Sequence, residues 1–309
     1  MRFIAPLAIL VATLTGCTSH NSFRNMSGAV WGTAYHITYN SDRDLSDSVF
    51  AVMNQIDASL SMFNQQSVVS RINGPQSAVA DDDIIAVWEI SKSVNAASEG
   101  AFDPTVAPLV DLWGFGRRGR DVALPDSAEV SRTLALVGMD KWSVESGSIV
   151  QKPAPRAALD FSAVAKGYGV DCIARMFERN GCHDFMVEIG GEIALSGNNP
   201  RGTLWRVQID APVDTTPGAN PYTYLDTTDC GIATSGNYRN YRADSTGNVY
   251  GHTINPLTGF PRQKAFLSVT VVAPTCALAD AVATAMMASD PAQADSIAAR
   301  LCVKAFTIR

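Results

Sequence analysis

"DFMVEIGGEIALSG", residues 184–197, reads as a strand, a glycine break at Gly190-Gly191 and a second strand. Glycine inside a strand pattern marks a bulge or a close backbone approach. Glu188 and Glu192 flank it. Upstream, "AVAKGYGVDCIARMFERNG" (163–181) predicts a helix stopped by Gly181, after a strand at 157–161. Downstream, 205–212, 230–236 and 266–274 read as strands, and 249–261 as a strand entering a turn. Residues 276–289 form a helix with Pro291 just beyond, and a short helix ends near Cys302. Toward the N-terminus, 29–40 alternates like a strand. Helices are expected at 46–63 with Ser46 as N-cap, at 81–98, and at 127–138 closed by Gly138. Residues 100–120 read as an ordered loop with a short helix, and 141–153 as a hairpin turning at Ser146-Gly147.

Strands and helices mix without strict β-α-β alternation. That predicts an α+β fold with mixed, largely antiparallel sheets and packed helices. A doubly wound fold needs a glycine-rich loop between an early strand and a helix. "GFGRRG" (114–119) neither follows a strand nor opens a helix.

The 309 residues suffice for one large domain or two closely packed ones, and 46% hydrophobic with 17% charged residues is globular composition. A formal net charge of −6 leaves no basic footprint for nucleic acid. An anion would need a local device: a metal ion, a lysine or a helix N-terminus. Residues 1–17 read as a secretory signal, and their ending "LTGC" resembles a bacterial lipobox. Cleavage just before Cys17 would leave it as a lipid-bearing N-terminus, anchoring the protein at the periplasmic side of a membrane. The alternative is an ordinary signal peptide with a chance cysteine. Residues 18–27 read as a tether and 28–309 as the folded domain. Five further cysteines, with no C-x-x-C, argue against a zinc or thioredoxin-like motif.

Three constellations carry chemistry. "LDFSAVAKGYGVD" (159–171) puts Asp160 at a strand end and Lys166 in the first turns of a helix. Such a corner suits a phosphate, or the two residues form an ion pair that pins it. Asp280 and Thr284, spaced i, i+4, share a helix face and offer hard oxygen ligands, or mark a solvated edge. The rest of that helix is apolar, so an acid there needs a partner. His252, in "GHTINPLTGFP" (251–261), could act as a general base or be structural. Asp103 before Pro104 fits an Asx-type turn. No G-x-S-x-G, H-E-x-x-H or Walker pattern occurs.

Eight ordered pieces resemble the ApbE family of flavin transferases: "WGTAYHI", "SMFNQQSVVSRIN", "GAFDPTVAPLVDLWGFG", "LDFSAVAKGYGVD", "VEIGGEI", "IATSGNYRNY", "HTINPLTGFP" and "ADAVATAMM". The resemblance implies an enzyme that binds FAD and magnesium, releases AMP and attaches FMN to a threonine of a target protein. Its targets are typically flavin-bearing subunits of sodium-pumping quinone reductases and related membrane electron-transport complexes. The acceptor threonine lies in a motif resembling Ser/Thr-Gly-Ala-Thr. By resemblance, Asp160 and Lys166 contact FAD, as do Ala101, Phe102, Asp103 and Ile254. The Ala163 carbonyl, Asp280 and Thr284 match metal ligands, and His252 matches a histidine near the reacting phosphate. Trp31 and Phe63 are candidates for the surface under the flavin. The chain departs from the family at Trp31, Phe63 and Asn255, where Met, Tyr and Asp are common, which bears on the flavin pose. Two other readings share these residues: an FAD pyrophosphatase, and a flavin-binding lipoprotein without catalysis.

Overall fold

The computed structural model describes residues 22–309 except 76–77, 118, 120–122, 149, 213–219, 237–240, 245–246 and 262–264. The signal segment, Cys17 and residues 18–21 lie outside the described residues. The alternating stretch at 29–40 is part of a hairpin. β1 (Phe23–Val30) pairs antiparallel with β2 (Thr33–Asn40). Trp31 and Gly32 between them have φ of 49° and 76°, the left-handed pair of a two-residue hairpin turn. Residues 23–27, expected in the tether, are therefore strand.

α1 (Ser46–Leu60) starts at Ser46 rather than being capped by it. Asp44 Oδ1 accepts the Ser46 N–H at 2.9 Å. α2 (Val68–Asn73) and α3 (Asp82–Ala97) follow, the latter capped by Asp81, which accepts from the Ile84 N–H. A 3-10 turn at Pro104–Val106 leads into α4 (Ala107–Leu112). α5 (Ser127–Leu134) stops short of Gly138, because the Leu136 and Val137 N–H groups fold back on Thr133 and Leu134. The hairpin expected at 141–153 reduces to one bridge, Ser143 with Gln151.

The second half supplies α6 (Ala165–Arg179), β3 (Phe185–Ile189), β4 (Glu192–Ser196), β5 (Trp205–Asp210), β6 (Pro221–Thr227) and β7 (Cys230–Gly236). β8 (Tyr241–Ala243), β9 (Val249–Gly251), β10 (Ser268–Ala273), α7 (Cys276–Met287), α8 (Pro291–Arg300) and β11 (Lys304–Ile308) complete it. Among the described residues, seven strands form one sheet in the order β1-β2-β3-β4-β7-β10-β11, and β5-β6 and β8-β9 are separate ribbons. Every pairing between these described strands is antiparallel. The β3–β4 register runs unbroken to Ile189 opposite Glu192, and Gly190 and Gly191 have φ of 64° and 98°. The glycine break is a hairpin turn, not a bulge.

α6 packs on β3 and β4, α7 on β7 and β10, and the two helices on each other. α7 is buried almost end to end because it lies between the sheet, α6 and α3. Its Ala-rich sequence lets all three approach closely. One apolar cluster joins α3, α7 and β10, and a second joins α1, α6, β2 and β3. β11 and β6 escape a reading of the sequence: β11 is five residues long, and β6 begins at a proline.

Candidate active site

Residues 157–161, expected as a strand, join no ladder. Their backbone bonds go elsewhere. The Asn73 side chain pairs with Leu159, accepting its N–H at 2.7 Å and donating to its carbonyl at 2.8 Å. The Asp160 N–H donates to the Pro104 carbonyl at 2.6 Å. This holds an extended segment that turns at Ser162 into α6. Asp160 Oδ1 accepts the Ser162 N–H at 2.8 Å, and burial pushes its carboxyl up against that bond.

Lys166, in the first turn of α6, does not pair with Asp160. Its ammonium meets Glu192 at the start of β4, a carboxylate 2% exposed. Burial opposes the Lys166 charge, but Glu192 and Asp280 outweigh it and the ammonium is held up. Burial pushes Glu192 and Asp280 upward, with Lys166 acting against both shifts. Two buried carboxylates thus share one ammonium. Asp280 Oδ2 accepts the Gly167 N–H at 3.1 Å. A Cβ on Gly167 would stand 2.5 Å from the Cys276 carbonyl oxygen, so the helices touch through a residue without a side chain. One turn beyond Asp280, Thr284 Oγ1 lies 3.1 Å from Ser235 Oγ on β7.

These groups line a cavity of about 420 Å³. Ala163, Lys166, Glu192, Asp280 and Thr284 line it together with Ala101, Phe102, Asp103, Asp160, His252 and Ile254. Asp103 also caps the 3-10 turn. Its Oδ1 accepts the Thr105 N–H and hydroxyl at 2.8 and 2.6 Å, and its Oδ2 accepts the Met139 N–H. Burial still pushes its carboxyl up. The His252 ring meets Phe115 edge-on at 6.3 Å between centroids. Ile254 packs into the apolar cluster of Leu109, Trp113 and Val130.

A second cavity of about 670 Å³ adjoins the first, sharing Met62, Phe63, Ser162 and Lys166 with it. Its lining is mostly apolar, with Trp31, Ile56 and Leu60. Every site residue expected from the sequence therefore falls on one continuous cleft, except Cys17, which lies outside the described residues. Reasoning from the sequence passed over Glu192 as a site residue and did not single out Ser235. A glutamate opening a strand reads as exposed, and the packing of α6 and α7 over β4 buries it against Lys166.

A family profile for the ApbE family matches residues 31–307. The chain belongs to the ApbE family. It is 35% identical to a Vibrio cholerae protein named FAD:protein FMN transferase, over 93% of this chain and 87% of that one. A Haemophilus influenzae protein of the same name is 32% identical over 91% of this chain and 85% of its own. Among solved structures, the flavin transferase ApbE from Vibrio cholerae superposes with a TM-score of 0.82 at 31% identity, covering 93% of each chain. The apo form of Pseudomonas stutzeri flavinyl transferase ApbE gives 0.82 at 30% identity, covering 93% of this chain and 92% of that one.

The ApbE departures sort by position. Trp31 and Phe63 line the apolar cavity, and Phe63 is 79% exposed there. Asn255, expected to bear on the flavin pose, lines neither cavity. Its Nδ2 donates to the Ala288 carbonyl at 2.9 Å, and its Oδ1 accepts the Leu257 N–H at 2.8 Å. It ties the turn after His252 to the C-terminal end of α7. An aspartate there would have no proton for Ala288.

Proposed function

We propose that this chain is a flavin transferase that splits the pyrophosphate of FAD, releases AMP and joins FMN to a threonine hydroxyl of a target protein. The observation that carries the reading is the junction of the cleft. An ammonium and a set of oxygen donors meet there, where the cavity richer in polar groups joins the apolar one with aromatic walls. A flavin ring suits the apolar side, against Trp31 and Phe63. The pyrophosphate suits the junction, where Lys166 meets its charge. Ala101, Phe102, Asp103, Asp160 and Ile254 would hold the rest of the substrate.

The acceptor oxygen attacks the phosphorus on the FMN side. One P–O bond forms, the bond to the bridging oxygen breaks, and AMP leaves with the electron pair. His252 takes the hydroxyl proton, a role worth about 10²–10⁴-fold in rate. Lys166 stabilises the charge that gathers on the leaving phosphate.

A divalent cation fits the residues present. Two buried carboxylates face a single ammonium, and burial pushes both carboxyls up, so a cation held there would favour their ionised forms. Among the described residues no group of three His, Cys, Asp or Glu could hold a metal. The donors are instead a carboxylate, a hydroxyl and a backbone carbonyl, from Asp280, Thr284 and Ala163. Such a partial set of hard oxygens suits magnesium, which completes its shell with water and substrate phosphate. When bound, it would neutralise pyrophosphate oxygens.

The family resemblance extends the proposal to flavin-bearing subunits of membrane electron-transport complexes of the sodium-translocating quinone reductase type. The signal-like residues 1–17 support a lipid at Cys17 and a place on the periplasmic side of the membrane.

The test mixes purified protein, FAD, magnesium and an acceptor domain bearing the threonine motif, and weighs the acceptor intact. A gain of one FMN, lost when the acceptor threonine is replaced by valine, is the expected result. Free FMN and AMP with an unmodified acceptor would assign the site to pyrophosphate hydrolysis. Bound, uncleaved FAD would overturn the enzyme reading.

A further inference from the structure

The stretch 159–171 holds a third charge, Asp171, that the proposed reaction does not use. It is 7% exposed and lines neither cavity of the cleft. It faces the first turn of α7. Its Oδ1 accepts the Cys276 N–H at 2.8 Å and its Oδ2 the Ala277 N–H at 2.9 Å. Both are donors that a helix leaves without a partner at its start. Thr275 holds the ordinary cap position and accepts the Leu278 N–H at 3.3 Å. α7 is thus capped twice, once by its own chain and once from α6.

Asp171 follows Gly167 by four residues, so the two share one face of α6. Gly167 donates to Asp280. α6 therefore grips α7 at its first turn and again at Asp280, one turn along. The spacing matters because a helix advances about 1.5 Å per residue. A metal site needs its ligands within about 0.2 Å of ideal distances. A slip of a fraction of one residue would take Asp280 and Thr284 out of range.

We propose that Asp171 is a positioning residue for the cation site, fixing the axial register of α7 on α6 so that Asp280 and Thr284 stay beside Ala163 and Lys166. The inference rests on the reading of that corner as a divalent-cation site. It assigns Asp171 no contact with substrate.

The test measures Mn²⁺ binding directly, by the loss of the free-ion electron paramagnetic resonance signal, on the full chain without FAD. Asp171→Asn keeps the shape and one acceptor but loses the second acceptor and the charge. Its Mn²⁺ affinity should fall at least about tenfold at temperatures well below its unfolding midpoint. Ile173→Ala, on the same helix but in the cluster facing β2 and β3, is the control for general destabilisation. It should lower the midpoint and leave affinity within about twofold of the parent. Should Asp171→Asn not fold, Asp171→Glu carries the test: the charge stays, the reach changes by a methylene, and affinity should again fall. Affinity unchanged in a folded Asp171 variant, or an equal loss in Ile173→Ala, overturns the positioning role alone. A parent protein that binds no Mn²⁺, or an Asp280→Ala variant that binds it as well as the parent, overturns the cation site and this inference with it.

Discussion

The two sides of the cleft are built by opposite means. On the α6–α7 side every charge is fixed by a partner: Lys166 by Glu192, Asp280 by the Gly167 N–H, Asp171 by the first turn of α7. On the apolar side Phe63 stands 79% exposed and Trp31 sits on a two-residue turn. The residues that match the family's metal and phosphate positions lie on the fixed side. The two departures that line the cleft, Trp31 and Phe63, lie on the other. Charge demands fixed geometry, because a misplaced ion loses both its partner and its solvation. Apolar contact tolerates exchange, because area is roughly what counts.

This contrast can be broken experimentally. The largest effect should come from Asp280→Ala, which removes an oxygen ligand of the proposed cation. Several kcal/mol of charge stabilisation are at stake, so AMP release, followed by chromatography, should fall more than about 100-fold. Full activity in that variant would show that the fixed side is scaffolding only.

Next in size is Gly167→Ala. The new methyl meets the Cys276 carbonyl, and backbone cannot rotate aside. Overpacking of this kind costs about 1–3 kcal/mol. The thermal midpoint should drop accordingly, and Mn²⁺ affinity with it. A midpoint equal to the parent's would mean that the helices have slack.

Phe63→Ala should do the reverse. So exposed a side chain changes stability by no more than about 0.5 kcal/mol. Loss of one aromatic contact, about 0.5–1.5 kcal/mol, should weaken FAD binding by about two- to tenfold. Flavin fluorescence titration reads this, and an unchanged affinity would move the flavin elsewhere in the cleft.

The last test is a pH slope. Burial raises Asp171 from 3.8 to about 6, with Arg175 pulling it down and Asp280 pushing it up. The folded state then binds this proton more tightly than the unfolded chain. The stabilisation is full below about 3.8 and is lost as pH rises through about 6. Thermal midpoints in EDTA should therefore decline between about pH 4 and 6, and Asp171→Asn should flatten that part of the curve.

The sequence was readable where the signal was local. An otherwise apolar helix with an acid and a threonine four apart pointed weakly to Asp280 and Thr284, and the family resemblance assigned them. Gly-Gly between two strand patterns announced the β3–β4 turn, though not whether it was turn or bulge. What stayed hidden depended on distant partners. Leu159 and Asp160 look like a strand, yet Asn73, 86 residues away from Leu159, takes over the Leu159 bonds. Glu192 is buried because α6, carrying Lys166, and α7 come to lie over β4. Trp31 hid the first hairpin turn, since a bulky residue with positive φ is rare.

The first hairpin also fixes a direction. β1 starts at Phe23, opposite Asn40, and runs its eight residues to the turn at Trp31 on the cleft wall. At about 3.3 Å per residue that places its start roughly 25 Å from its tip. Whatever precedes Phe23 therefore joins the domain at the far end of the sheet. A mooring there would hold the molecule by its heel, with the mouth turned outward to meet a partner.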